Sequence, residues 1–217
     1  MKKKELLKRY LLFIISLFFS GVGVAFTKHG GLGVSPISSV PNILNIRFES
    51  VSMGNWLIMW NCLLILGQIL ILRRRFQPIQ LLQVPLSFLF GYFTDFGTWI
   101  VSGIPADRYI VKILMVVLGV IILGFGISLS VIANVIMNSG EAFVKVLSDG
   151  MKTNFGNAKI AFDIGNVLLA AIMSVVFFGF PIQGLREGTL IAAVGTGTVV
   201  NWFTKRISKS VEKILVE

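Results

Sequence analysis

Six apolar stretches, at about 7–28, 55–72, 80–104, 109–137, 158–178 and 188–204, each approach the roughly 20 residues that a helix needs to cross the hydrocarbon of a bilayer. Such stretches leave the chain few choices. At that depth no water satisfies the backbone N–H and C=O groups, so each stretch must pair them internally, as a helix. The sequence therefore predicts an all-α polytopic membrane protein with six transmembrane helices. Composition agrees: 55% of the 217 residues are hydrophobic and 14% charged, where soluble domains carry roughly 25% charged residues.

The net charge of +10 raises nucleic acid as a partner. It is excluded because the basic residues fall in short segments between apolar runs, not along one helix face. Topology accounts for them instead. With both termini cytoplasmic, the inner segments hold Lys2, Lys3, Lys4, Lys8, Arg9, Arg73, Arg74, Arg75, Lys145, Lys152, Lys159, Lys205, Arg206, Lys209 and Lys213. Only Lys28, Arg47, Arg108, Lys112 and Arg186 face outward, which is the positive-inside bias of a multi-pass protein of the cell membrane.

The chain also repeats itself. "GNWLIMWN" at 54–61 returns as "GNAKIAFD" at 156–163, with Gly54/Gly156, Asn55/Asn157, Ile58/Ile160, Trp60/Phe162 and Asn61/Asp163 all 102 apart. Gly21 and Gly23 return as Gly124 and Gly126, Pro78, Ile79 and Gln80 as Pro181, Ile182 and Gln183, and Trp99 as Trp202, all 103 apart. The unit covers about 10–104 and 113–207 of a single integral membrane domain spanning 1–217. The start, basic and then apolar, is shaped like a secretory signal, but as half of a duplicated unit it is expected to be retained. Three spans per unit put the two copies in opposite orientations, as the charges also do: the second span ends in "RRR" and the fifth in the uncharged "FFGFP". Inverted repeats about an axis in the membrane plane characterise alternating-access carriers, whose sites lie near the midplane.

Two connections are too long and too apolar for ordinary loops. In "GLGVSPISSVPNILN", Ser35 and Pro36 open a short helix at about 36–45, with Ser35, Ser38, Ser39, Asn42 and Asn45 on one face and Pro41 expected to kink or end it. In "NSGEAFVKVLSDGMK", Asn138 or Ser139 caps a helix at about 140–152, whose polar stripe runs through Glu141, Lys145, Ser148, Asp149 and Lys152. Two placements fit: both helices in the interface plane with the stripe in water, or both re-entrant, their N-termini approaching from opposite sides with partial positive charge.

Ionisable groups inside spans are costly and point to function. Asp163 leads, because its counterpart Asn61 is polar too and the pair is expected to meet near the symmetry axis; the plain alternative is an ion pair with Lys159 one turn earlier. Asp95 is expected to reach water at the outer end of its span. Cys62 is the only cysteine and His29 the only histidine, which excludes a disulfide framework, a Cys/His zinc site and a Cys/His nucleophile assisted by a second His within one chain.

"GLGVSP" after a first span, "GEAFVKVLSD" in the second half, the paired "GN" starts and "FPIQGLREGTLIAAVGTG" resemble the YczE/YyaS/YitT-like family of small bacterial multispan membrane proteins. The resemblance implies a transporter-type architecture and no particular chemistry. Relatives repeat a Gly-x-x-Pro start in the second half; here Gly140-Glu141 has no proline.

These features predict a permease-like carrier of a small molecule or ion, its site between inverted halves and lined by Ser35, Ser38, Asn61, Asn138, Glu141 and Asp163. The alternative is a non-transporting membrane partner, such as a substrate-capture subunit or an embedded regulator. An enzyme, a metal site and a cofactor are not expected, since intramembrane catalysis needs a nucleophile with a base or a metal. The partners implied are the lipid bilayer and an unidentified ligand, with a homodimer or a partner subunit compatible with the chain.

Overall fold

The computed structural model describes residues 3–216, and among them every named element is a helix. In chain order these are α1 (Lys3–His29), α2 (Pro36–Arg47), α3 (Met53–Leu72), α4 (Gln83–Val101), α5 (Tyr109–Ala133), α6 (Ser139–Gly150), α7 (Phe155–Phe178) and α8 (Glu187–Val216), with two short 3-10 turns at Arg73–Arg75 and Pro78–Leu82. Four of them, α1, α3 with the turn that extends it, α5 and α7, are long and apolar enough to cross a membrane. α4 and α8 occupy the third and sixth apolar stretches, at 19 and 30 residues, but are less apolar.

The centre of the molecule is the crossing of α1 and α5. Arg9 donates to the carbonyls of Ile132 and Ala133. Gly126 lies against Ser16 and Ser20, Gly23 against Leu123 and Gly119, and Gly30 against Lys112 and Val116. Residue numbers rise on one helix as they fall on the other, so α1 and α5 are antiparallel. Small residues let the backbones approach: a Cβ on Gly23 would stand 2.5 Å from the Leu123 nitrogen. α1 also packs on α4, and α5 on α8.

α2 and α6 do not lie on the surface. α2 packs between α3 and α7, and α6 packs against the same two helices. Pro36, Ser38, Ser39, Val40, Pro41, Asn42 and Ile43 are all buried. The expected break at Pro41 does not occur, and the helix runs on to Arg47. Pro41 removes only the donor to the Ile37 carbonyl, and in the first turn Ser39 Oγ donates to the Pro36 carbonyl at 2.5 Å.

One end of the molecule gathers the start of α1 and the end of α8, with Lys8 Nζ donating to the Ile214 carbonyl at 2.8 Å. At the other, the chain after α1 meets the start of α8: Gly33 bridges to Leu185, and the Gly188 amide donates to the Leu32 carbonyl at 2.8 Å. Gly33, at φ +103°, is in a conformation that favours glycine.

Candidate functional site

The N-termini of α2 and α6 meet. A Cβ on Gly140 would collide with the side chain of Ile37, so the first turns of the two helices are in contact. Their N-cap residues, Ser35 and Asn138, have nearly the same backbone, φ −57°, ψ 150° and φ −56°, ψ 148°, and neither side chain caps its helix. Uncapped N–H groups at such ends carry partial positive charge. Between them lies a cavity of about 730 Å³.

All six residues singled out from the sequence line this cavity: Ser35, Ser38, Asn61, Asn138, Glu141 and Asp163. They form three counterpart pairs, Ser35/Asn138 and Ser38/Glu141 at a separation of 103 and Asn61/Asp163 at 102. Asn61 and Asp163 do not meet as expected. They line the cavity from different helices, α3 and α7, and among the described residues no hydrogen bond joins them.

Asp163 has the plainer partner. Lys159 Nζ, one turn earlier on α7, donates to both of its carboxylate oxygens, at 2.5 and 2.6 Å. The pair is also part of the cavity wall, since Lys159 lines it too. Glu141, at the third position of α6, sits where a carboxylate suits the helix N-terminus. It has no ion-pair partner among the described residues. The stripe drawn on α6 is split accordingly: Glu141 turns to the cavity and Ser148 is buried, while Lys145 and Asp149 pair with each other at 3.0 Å in the open. The polar face of α2 divides likewise. Ser35 donates to Ser38 beside the cavity, the Ser39 hydroxyl that donates to Pro36 also lies 3.4 Å from the Asn166 carbonyl on α7, and Asn42 donates to the Gly184 carbonyl and Asn45 to the Val51 carbonyl.

A buried amide pair holds the α6 start in place. Gln68 of α3 donates to Gln83 of α4 and to the Ser139 carbonyl, Gln83 donates back, and Ser87 is within 3.2 Å of the Ser139 hydroxyl. Neither glutamine is singled out in the sequence, because each stands alone among apolar neighbours and the pairing between two helices is visible only in the fold. Asp95 is half-buried, and besides any contact with water its carboxylate accepts the Ser52 hydroxyl at 2.6 Å and the Gly54 amide at 2.8 Å, which fastens the start of α3 to α4. Gly54 and Gly91 are in backbone contact beside it. The orphaned Ser20 hydroxyl, Trp60 indole N–H and Thr196 hydroxyl also lie on the cavity wall.

Comparison with known proteins places these features in a family. The family described as "Family of unknown function (DUF6198)" matches residues 7–205. The chain belongs to that family. It is also similar to "Uncharacterized membrane protein YczE" of Bacillus subtilis (strain 168), at 23% identity over 202 residues, covering 92% of this chain and 87% of the relative. The resemblance read from "GLGVSP" and its companions is thus met over most of the chain, and the protein is a membrane protein. No solved structure matches.

Proposed function

We propose that the protein is a small carrier in which two inverted copies of a three-span unit, about 10–104 and 113–207, enclose a binding site for a small molecule or ion. The observation that carries this reading is the cavity at the meeting of the α2 and α6 N-termini, which matches the midplane sites that broken or half helices build in inverted-repeat carriers.

Reciprocal contacts support the inversion. Adding 103 to one partner and subtracting it from the other turns Gly23 against Leu123 into Gly126 against Ser20, and Gly23 against Gly119 into Gly126 against Ser16. Gly21 packs on Phe93 of α4, and its counterpart Gly124 on Thr196 of α8. Packing of α2 on α7 has its partner in α6 on α3. Ile37 and Gly140, 103 apart, are each other's counterparts and touch, so the axis passes between them. Because α1 and α5 are antiparallel, that axis runs across the spans, in the plane of the membrane. α4 and α8 are the third and sixth spans, their smaller apolarity matching the polar groups they turn to neighbours and cavity.

The positive-inside rule puts the joined ends of α1 and α8 in the cytoplasm. In a Cys62→Ser background, Glu49→Cys is expected to react with a membrane-impermeant thiol reagent in intact cells, and Lys209→Cys only after the membrane is opened. The reverse pattern contradicts the topology.

Native mass spectrometry of gently purified protein tests the site. A small molecule retained by the wild-type chain is expected to be lost from Glu141→Gln while thermal unfolding in detergent is unchanged, because glutamine keeps shape and removes charge. Equal retention by the variant contradicts the carrier site. Co-purification with an ATPase subunit would favour the substrate-capture alternative.

A further inference from the structure

The two halves of the molecule differ in one place. α3 packs along α4, fastened by Asp95, Ser52 and Gly54 at one end and by Gln68 and Gln83 at the other. Their counterparts α7 and α8 make almost no contact among the described residues. The differences are legible residue by residue. Gly91, in backbone contact with Gly54, is answered by Val194, which is 74% exposed, and Asp95 by Thr198, whose hydroxyl returns to its own helix. Thr94 is fully buried, while its counterpart Gly197 lies on the cavity wall with open space around the position a Cβ would take. Ile160 of α7 lines the cavity and is yet 60% exposed. The cavity is therefore open sideways, between α7 and α8, toward the side on which the apolar Ile164 and Leu190 are exposed.

The charges at its inner end have a sign. Among the described residues the side-chain charges on the cavity wall are Glu141, Lys159 and Asp163. Lys159 is paired with Asp163, so Glu141, which accepts from the Asn138 amide and lies in the field of Lys159, makes no ion pair of its own, and the three side chains leave the wall with one net negative charge. The remaining wall is largely apolar, including Leu57, Phe90, Leu123, Ile127 and Val200. A carboxylate in such surroundings favours a cationic partner over solitude.

From these observations, and resting on the carrier reading above, we infer that the ligand is an amphipathic molecule with an ammonium head, entering from the bilayer between α7 and α8 and placing its head against Glu141. Its chain occupies the opening, where it exchanges one apolar environment for another, and only the head must leave the bilayer surface.

The test uses energy transfer from Trp60, on the cavity wall, made the sole tryptophan by Trp56→Phe, Trp99→Phe and Trp202→Phe, in phosphatidylglycerol nanodiscs, whose lipid carries no ammonium head to compete, with probe mole fractions taken as those in the bilayer. The acceptors are a pyrene-labelled dodecyltrimethylammonium and the matching pyrene-labelled dodecyl sulfonate. Saturable transfer is expected for the ammonium probe, at about tenfold lower mole fraction than for the sulfonate, which is about 1.4 kcal/mol. Glu141→Gln removes that preference. Gly197→Phe, which fills open space, removes saturable transfer for both probes, and Ile160→Cys with Ala193→Cys gives the same loss only after a bifunctional reagent joins them. Absence of saturable transfer, equal transfer for both heads, or transfer unchanged in Gly197→Phe overturns the inference. So does efficient cross-linking of Ile160→Cys between two chains in a Cys62→Ser background, which would mean a second copy covers the opening. If the native ligand is retained by the wild type and lost from Glu141→Gln while the pyrene probes show no saturable transfer, the side entrance fails and the carrier site stands; if neither result appears, both fall.

Discussion

Gly23→Leu and Gly126→Leu are each expected to leave little folded protein in detergent. Both glycines sit where α1 and α5 cross, and a Cβ alone would stand 2.5 Å from Leu123 N in one case and 2.6 Å from Ser20 N in the other. The atoms in the way are backbone, which cannot turn aside as a flexible side chain can. Crowding a packed core costs about 1–3 kcal/mol, and more where the backbone must move. Because the two positions are counterparts, their losses should be alike, and Gly103→Leu, at a site with nothing nearby, should be without effect. The measurement is the monodisperse fraction and thermal midpoint after extraction. Normal folding of either crossing variant would contradict the packing described for α1 and α5.

The second large effect concerns the Lys159–Asp163 pair. Asp163→Asn is expected to lower ligand retention at least about tenfold, which is about 1.4 kcal/mol, and to lower thermal stability as well, because it leaves Lys159 uncompensated. The stability loss should be smaller than the roughly 3–5 kcal/mol of a fully buried pair, since these side chains are 34% and 24% exposed. A double variant, Lys159→Met with Asp163→Asn, removes both charges and should recover stability. It should not recover the ligand. Recovery of both would reduce the pair to a structural staple and leave Glu141 and the helix ends to carry the site.

What could be read from the sequence depended on the range over which each signal acts. The apolar stretches were legible because a bilayer imposes helix on any such run; α3 and α7 begin and end within a few residues of the stretches read at 55–72 and 158–178. The ion pair of Lys159 and Asp163 was legible because it spans one helical turn. The end of α8 was not. The stretch was read to 204, but the helix continues through "TKRISKSVEK" to Val216, its last turn tied to Lys8 from the far end of the chain. The fastening made by Asp95 is hidden for the same reason: its partners Ser52 and Gly54 lie more than forty residues away. Of the six cavity residues, Asn61 and Asp163 are legible as polar groups inside apolar stretches and Ser35, Ser38, Asn138 and Glu141 through the two short helices in the long connections, and their fall into three counterpart pairs is present in the numbering. The sparse contact between α7 and α8 is not legible from the recurring sequence stretches. Similar stretches imply similar packing, and only contacts reveal that exchanging Gly91 for Val194 and Asp95 for Thr198 leaves one half fastened and the other apart.

That difference makes the central claim directly measurable, because an inverted-repeat carrier changes access by exchanging the arrangements of its halves. Asn61→Cys, in a Cys62→Ser background, places a thiol on the cavity wall. With α7 and α8 apart and α3 fastened to α4, it is expected to react with a membrane-impermeant reagent from the cytoplasmic face only. Adding Asp95→Ala, which frees Ser52 and Gly54, should bring out reactivity from the outer face. Reaction from the same face in both backgrounds, or from neither, would contradict a site that two inverted halves open in turn.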